Sequence, residues 1–299
     1  MSMAMPDVAG RVVVGTDGSE HAARAVSWAA AYASRRDAGL TIVRVAPHVP
    51  VPKRLGVYSL LSKGTDYLKA VEDALRSGLD VETERTRSQH PELDVQAALI
   101  EGHAADLLGA LSGQALCVVL GATGASRMRG ALLGGTAVAV VHAARGSVVI
   151  IPDGEGYPSG PVIVGLDDSE GSAAVVRAAI DEAVRSGRSL KAFYAWDIDP
   201  ALGGAAIEVM LRDEREIIAE GHAMLERLTA GAPQDLAVER VVEMGRAGAV
   251  LATASRRASL MVVGSHGHGG LTGLLLGSVS RSVLLHSACP VMVVRTKSG

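Results

Sequence analysis

Gly264 and Gly267, separated by nine residues from Gly277-Ser278, form the pattern in this 299-residue chain best suited to holding an anion. Glycines at 264 and 267 let the backbone turn tightly and approach a ligand with no Cβ in the way. Gly277-Ser278 then opens a helical stretch, and Ser278 is a residue type that caps helix N-termini. Free N–H groups and the helix dipole at such a start attract anions, phosphate above all. The Ser278 and Ser280 hydroxyls offer further hydrogen bonds, and His266 and His268 sit inside the loop. Those histidines read either as phosphate contacts or as exposed loop residues. Upstream, Asp167-Asp168 ends an apolar run, as a carboxylate pair for Mg²⁺ or as a helix-starting turn. Gly-rich turns by themselves are equally the ordinary strand-to-helix turns of an α/β protein.

The same landmarks occur earlier in the chain. Val12–Glu20 (VVVGTDGSE) lies 150 residues before VIVGLDDSE at 162–170, which places Asp17 opposite Asp167. Gly121 and Gly124 lie 143 residues before Gly264 and Gly267, and Gly134-Gly135 lies opposite Gly277-Ser278. A repeat this long is a duplicated domain rather than a solenoid unit. The first copy carries seven more residues in its middle. It also departs at the loop. Gly135 replaces Ser278, removing a hydroxyl and a cap, with Thr136 one place later, and Arg127 stands where the second copy has Gly270. The first site is therefore expected to bind more weakly, by roughly 1–3 kcal/mol or about ten- to a hundredfold.

Alternating elements must position these residues. In the second copy, apolar runs at 162–165, 190–196, 237–243, 260–264 and 290–295 read as strands. Helical stretches at 171–186, 208–228, 247–255 and 278–287 separate them. In the first copy the strands fall at 11–15, 41–46, 95–101, 116–121 and 148–151. Its helices fall at 22–36, 63–77, 104–111 and 136–144. The expected fold is α/β, with two tandem Rossmann-like domains, each a five-stranded parallel sheet flanked by helices. The domains are set at 11–151 and 161–295, between tails at 1–10 and 296–299, with a Pro- and Gly-rich linker at 152–160. Ligands bind such sheets beyond the carboxyl ends of the strands, where the strand order reverses. Asp17, Asp167, Gly121 and Gly264 all fall at strand ends. The segments 47–64 and 197–206 read as mobile lids over the sites.

Composition narrows the function. Hydrophobic residues make up 48% of the chain, enough for two cores, but only 3% are aromatic, too few for base-stacking surfaces. The net charge of −3 gives no basic footprint for nucleic acid or an anionic membrane. No apolar run is long enough to span a bilayer, and residues 1–10 do not read as a signal peptide. Cys117 and Cys289 sit in apolar runs and read as buried small hydrophobes, in keeping with a reducing cytoplasm. No Walker loop, dinucleotide fingerprint, nucleophile elbow or zinc motif is present. Slow ATP hydrolysis by bound water is the most enzymatic reading left.

Gly-x-x-Gly, nine residues and Gly-Ser, with VGLDDS at the first strand and SACPVMVV at the last, resembles the ATP-binding signature of the universal stress protein family. The resemblance covers almost the whole chain and matches the tandem, two-domain members. It implies ATP, with or without Mg²⁺, as ligand. In the second copy Asp167 would meet the adenine and ribose, and the backbone of Ala195 the adenine. Gly264, Gly267, Gly277, Ser278, Val279 and Ser280 would wrap the ribose and phosphates. The first-copy positions are Asp17, Val45, Gly121, Gly124, Gly134 and Gly135. The resemblance further implies a stress-responsive regulatory module, with cyclic AMP as an alternative ligand. A slow ATPase or nucleotide-transfer enzyme and a nucleotide-free scaffold are the other readings. It also implies sheet edges at 148–151 and 291–294 that pair between domains, and a homodimer.

Overall fold

The short β-branched runs become the central strands because both of their faces are covered. The computed structural model describes residues 5–47, 58–124, 133–154, 156–197, 214–267 and 276–296. In it β1 (Val12–Thr16) is buried along its whole length. β4 (Cys117–Gly121), β6 (Val162–Gly165) and β9 (Leu260–Gly264) are buried except at their last glycine. Such strands need continuous apolar sequence rather than alternation. The outer strands β3 (Val95–Glu101) and β8 (Val238–Met244) carry polar residues and are partly exposed.

The chain divides into two contact units, Met1–Gly146 and Ser147–Gly299. In the first, β3, β2 (Leu40–Ala46), β1 and β4 lie side by side, all parallel. In the second the order is β5 (Val148–Ile151), β10 (Val291–Val294), β9, β6, β7 (Leu190–Trp196), β8. There β6–β10 are mutually parallel and β5 runs antiparallel to β10, with Val291 opposite Ile150 and Val293 opposite Val148. The fold is thus two tandem α/β domains with mostly parallel strands flanked by helices, as the sequence suggests. The fifth strand of the first repeat joins the second unit through its ladder with β10.

The strand order reverses at β1, which has β2 on one side and β4 on the other, and at β6, flanked by β7 and β9. Connections leaving these strands diverge to opposite sides and open a crevice at the carboxyl ends. The helices that cover the strands are α1 (Glu20–Arg35), α2 (Tyr58–Gln89), α3 (Ala104–Leu111) and α4 (Gly135–Ala143). In the second repeat they are α5 (Ser172–Ser186), α6 (Glu214–Thr229), α7 (Ala247–Ala254) and α8 (Ser278–His286). Ser19 caps α1 by accepting the Ala22 N–H at 3.2 Å.

Two local expectations change. The helix expected at 63–77 runs on to Gln89, straight through Gly78. A Cβ on Gly78 would lie 2.8 Å from Arg44 Nη1, so the glycine makes room for that side chain rather than ending the helix. The Thr83 and Thr86 hydroxyls donate back to Leu79 O and Glu82 O within the helix. Thr296, assigned to the C-terminal tail, is buried against the second unit, and its N–H donates to Ser265 Oγ at 3.2 Å.

Candidate functional site

A cavity of about 490 Å³ lies at the carboxyl ends of β6 and β9, under the start of α8. Its volume falls within the roughly 300–1,000 Å³ of small-molecule sites. Asp167, Ala195, Gly264, His266, Gly267, Gly277, Ser278, Val279 and Ser280 all line it, so the structure gathers the second-copy positions that the resemblance implies, together with His266. Phe193, Val175, Leu251 and Val263 add an apolar wall. Phe193 and Leu251 carry no motif signal. They arrive from β7 and α7 through packing alone.

The turn after β6 fixes Asp167. Its Oδ1 accepts the Ser169 N–H at 3.2 Å, the Ser169 hydroxyl at 2.5 Å and the Ser172 hydroxyl at 2.8 Å. A Cβ built on Gly267 would lie 2.3 Å from Asp167 Oδ2. The carboxylate oxygen thus occupies the space that a side chain at the second loop glycine would take. A Cβ on Gly264 would meet His266 O and Val175 Cγ2, both at 3.1 Å. Asp168 does not converge with Asp167 on a metal position. It pairs with Arg227 at 2.5 Å, and both side chains are exposed. Among the described residues no cluster of three or more metal-capable side chains exists.

The helix start differs from the expected one by one residue. Gly277, not Ser278, is the N-cap of α8, and no side chain caps it. The Gly277 N–H donates to Ser265 O at 2.9 Å, and the first intrahelical bond is Arg281 N to Gly277 O, also at 2.9 Å. The N–H groups of Ser278, Val279 and Ser280 consequently have no acceptor within the helix. The Ser280 hydroxyl, expected to reach a ligand, donates instead to Gly264 O at 2.5 Å and ties the loop to the helix. His266 Nδ1 lies 3.1 Å from Ser265 Oγ, while its Nε2 is buried and has no hydrogen-bond partner.

The first repeat builds a smaller version of about 250 Å³, lined by Asp17, Val45, Gly121, Gly124, Gly134 and Gly135 among others. The logic of the second glycine repeats, because a Cβ on Gly124 would lie 2.6 Å from Asp17 Oδ2. Gly134 is the N-cap of α4, again without a side-chain cap. Gly135 therefore removes a hydroxyl but no cap, and Thr136 stands at the position of Val279. Thr123 replaces His266, Ala137 replaces Ser280, and Leu120 replaces the smaller Val263. Leu120 Cδ2 approaches to 2.5 Å of where a Gly15 Cβ would be, filling space at the floor of the crevice. His268, Arg127 and Gly270 lie outside the described residues, as do 48–57 and 198–213, which hold most of the two expected lids. Cys117 and Cys289 are both buried free thiols and line neither cavity.

Comparison with known proteins accords with this geometry. The model of the universal stress protein family matches the chain twice, at residues 9–152 and 159–295. Universal stress protein Rv1996 of Mycobacterium tuberculosis is 35% identical over 310 residues, covering 95% of this chain and 94% of its own. A universal stress protein of Mycolicibacterium smegmatis is 34% identical over 299 residues, covering 96% and 97%. A solved universal stress protein from Archaeoglobus fulgidus superimposes with a TM-score of 0.59 at 19% identity, covering 97% of this chain and 98% of its own.

Proposed function

The chain belongs to the universal stress protein family, and from that premise we propose that it is an adenine-nucleotide-binding regulatory module whose principal site is the second cavity. The observation that carries this is the joining of three surfaces in one cavity. Phe193, Val175, Leu251 and Val263 form an apolar wall suited to a base, and Asp167 offers a carboxylate to ribose hydroxyls. The uncapped start of α8 presents backbone N–H groups to phosphates. A nucleotide has these three parts in that order. ATP is the expected ligand, and cyclic AMP competes for the same surfaces. Mg²⁺ would arrive on the phosphates of ATP rather than in a protein cage, since Asp168 is committed to Arg227.

The test is direct. Acid extraction of the purified protein should release an adenine nucleotide, and calorimetry with ATP, ADP, AMP and cyclic AMP ranks the ligands. Asp167→Ala should remove most of the tight binding, and Asp17→Ala should remove only the weaker component. Binding absent at millimolar concentration sinks the proposal and leaves a scaffold. A turnover assay on the same samples distinguishes a sensor from a slow ATPase.

A further inference from the structure

We infer that Arg44 is a positioning residue of the first crevice, whose guanidinium holds the peptide after Asp17 and so aims the Asp17 carboxylate at ribose hydroxyls. The inference rests on nucleotide binding at that crevice. Arg44 is the fifth residue of β2. Its neighbour Val45 lines the crevice, and successive strand residues point to opposite faces of a sheet. Arg44 therefore leaves the sheet on the side away from the ligand and reaches the site through the turn after β1. There its Nη2 donates to Asp17 O at 3.0 Å.

Two glycines leave the space that the guanidinium fills. A Cβ on Gly18 would lie 3.1 Å from Arg44 Nη2, and one on Gly78, inside α2, would lie 2.8 Å from Arg44 Nη1. Gly18 has a φ of +80°, in the left-handed region that glycine adopts at no steric cost. A peptide bounded by such a residue turns easily unless its carbonyl is held. Turning it would carry the Asp17 side chain with it. That side chain is set for the crevice, because Oδ1 accepts the Ser19 N–H at 3.0 Å and Oδ2 lies 2.6 Å from the place of a Gly124 Cβ.

The second repeat keeps the slot and changes its occupant. Tyr194 on β7 corresponds to Arg44, and Gly221 to Gly78. A Cβ on Gly221 would lie 2.8 Å from Tyr194 Cδ1. Asp168 replaces Gly18 there, and the turn is held from within by the Ser169 and Ser172 hydroxyls, both donating to Asp167 Oδ1. In the first repeat Ser19 Oγ instead accepts the Ala22 N–H as a helix cap, and Ala22, at the place of Ser172, has no hydroxyl. Arg44 supplies from a neighbouring strand the hold that two hydroxyls supply in the second repeat.

The experiment uses the full chain carrying Asp167→Ala, which silences the second site. Calorimetry compares ATP with 2′,3′-dideoxy-ATP, which lacks both ribose hydroxyls. Arg44→Met keeps an apolar stem and removes the donors. It should weaken ATP about tenfold and leave the dideoxy analogue unchanged, because that ligand offers the carboxylate no hydroxyl. Arg44→Lys, which returns the charge and one ammonium donor, should recover part of the loss. ATP affinity unchanged by Arg44→Met overturns the inference. So does an equal loss for both ligands, which would mark a general disturbance of the domain. If Arg44→Met fails to fold, Arg44→Lys decides by the same comparison, with a smaller loss confined to ATP expected. With Arg44 intact, equal affinity for the two ligands overturns the ribose role of Asp17, and no ATP binding overturns the nucleotide reading of the first crevice. Both are distinct from ribose-dependent binding that is indifferent to Arg44.

Discussion

At the residue scale, the contact that does most to define each cavity is that between a glycine and an aspartate. Asp167 Oδ2 and Asp17 Oδ2 occupy the positions where Cβ atoms of Gly267 and Gly124 would need to go. Gly267→Ala should therefore push the carboxylate out of its turn and weaken nucleotide binding by at least about tenfold, roughly the worth of one lost hydrogen bond to a charged group. In Asp167→Ala the clash partner is gone, so adding Gly267→Ala should cost little more. Calorimetry of the single and double variants measures that coupling, and additive losses would contradict the contact. Cys289 makes a separate prediction. Burial pushes its thiol from the ordinary 9.0 up to about 11. Its stabilising contribution is whole below pH 9 and is lost as pH rises towards 11, because the unfolded thiol ionises first and the folded state then holds more protons. The loss should be on the order of 2 kcal/mol. Urea melts across that pH range should show it, and Cys289→Ala should lose this component of the pH dependence.

At the scale of elements, the two repeats anchor the connection into their last strand by the same device. Ser112, in the turn after α3, accepts the Arg145 and Gly146 N–H groups at 2.8 and 3.1 Å. Ser255, after α7, accepts the Ala288 N–H at 2.9 Å. Both serines are buried, so Ser→Ala at either position should cost about 1–2 kcal/mol, with Ser112 the costlier because it serves two donors. Chemical denaturation of the two variants checks the order. Much at this scale was legible beforehand. The β-branched runs gave the strands, and the glycine spacing pointed to Gly264, Gly267, Gly121 and Gly124, which line the cavities, but not to the neighbouring Leu276, Ala122 and Thr123, which line them too. What escaped depends on contacts across the fold. The helix expected at 63–77 runs on to Gln89, and the room that Gly78 leaves inside it is taken by Arg44, which comes from β2. The cap fell on Gly277 rather than Ser278 because Ser265 O fixes the entry of the chain. Asp168 finds Arg227, 59 residues away, and no local pattern announces such a pair.

At the scale of the whole molecule, duplication has produced two unequal crevices. The fold is the same, but the walls differ. The second cavity has about 490 Å³ and the first about 250 Å³. Leu120 stands where the second repeat has the smaller Val263, and Gly135 lacks the hydroxyl that Ser278 supplies. If these substitutions set the affinities, they should be reversible. In an Asp167→Ala background, where the second site is silenced, the first should bind ATP about ten- to a hundredfold more weakly than the second site does in the parent chain. Adding Leu120→Val and Gly135→Ser to that background should recover about tenfold. Leu120→Val alone tests volume, and Gly135→Ser alone tests the hydroxyl, so calorimetry of the series separates the two causes. Removing the Leu120 methylene costs about 1 kcal/mol of packing against β1, which a thermal melt registers independently of binding. Equal affinities in the two single-site backgrounds would mean that both crevices present the same ligand surface despite their walls. In that case the asymmetry would serve the core of each domain rather than discrimination between ligands.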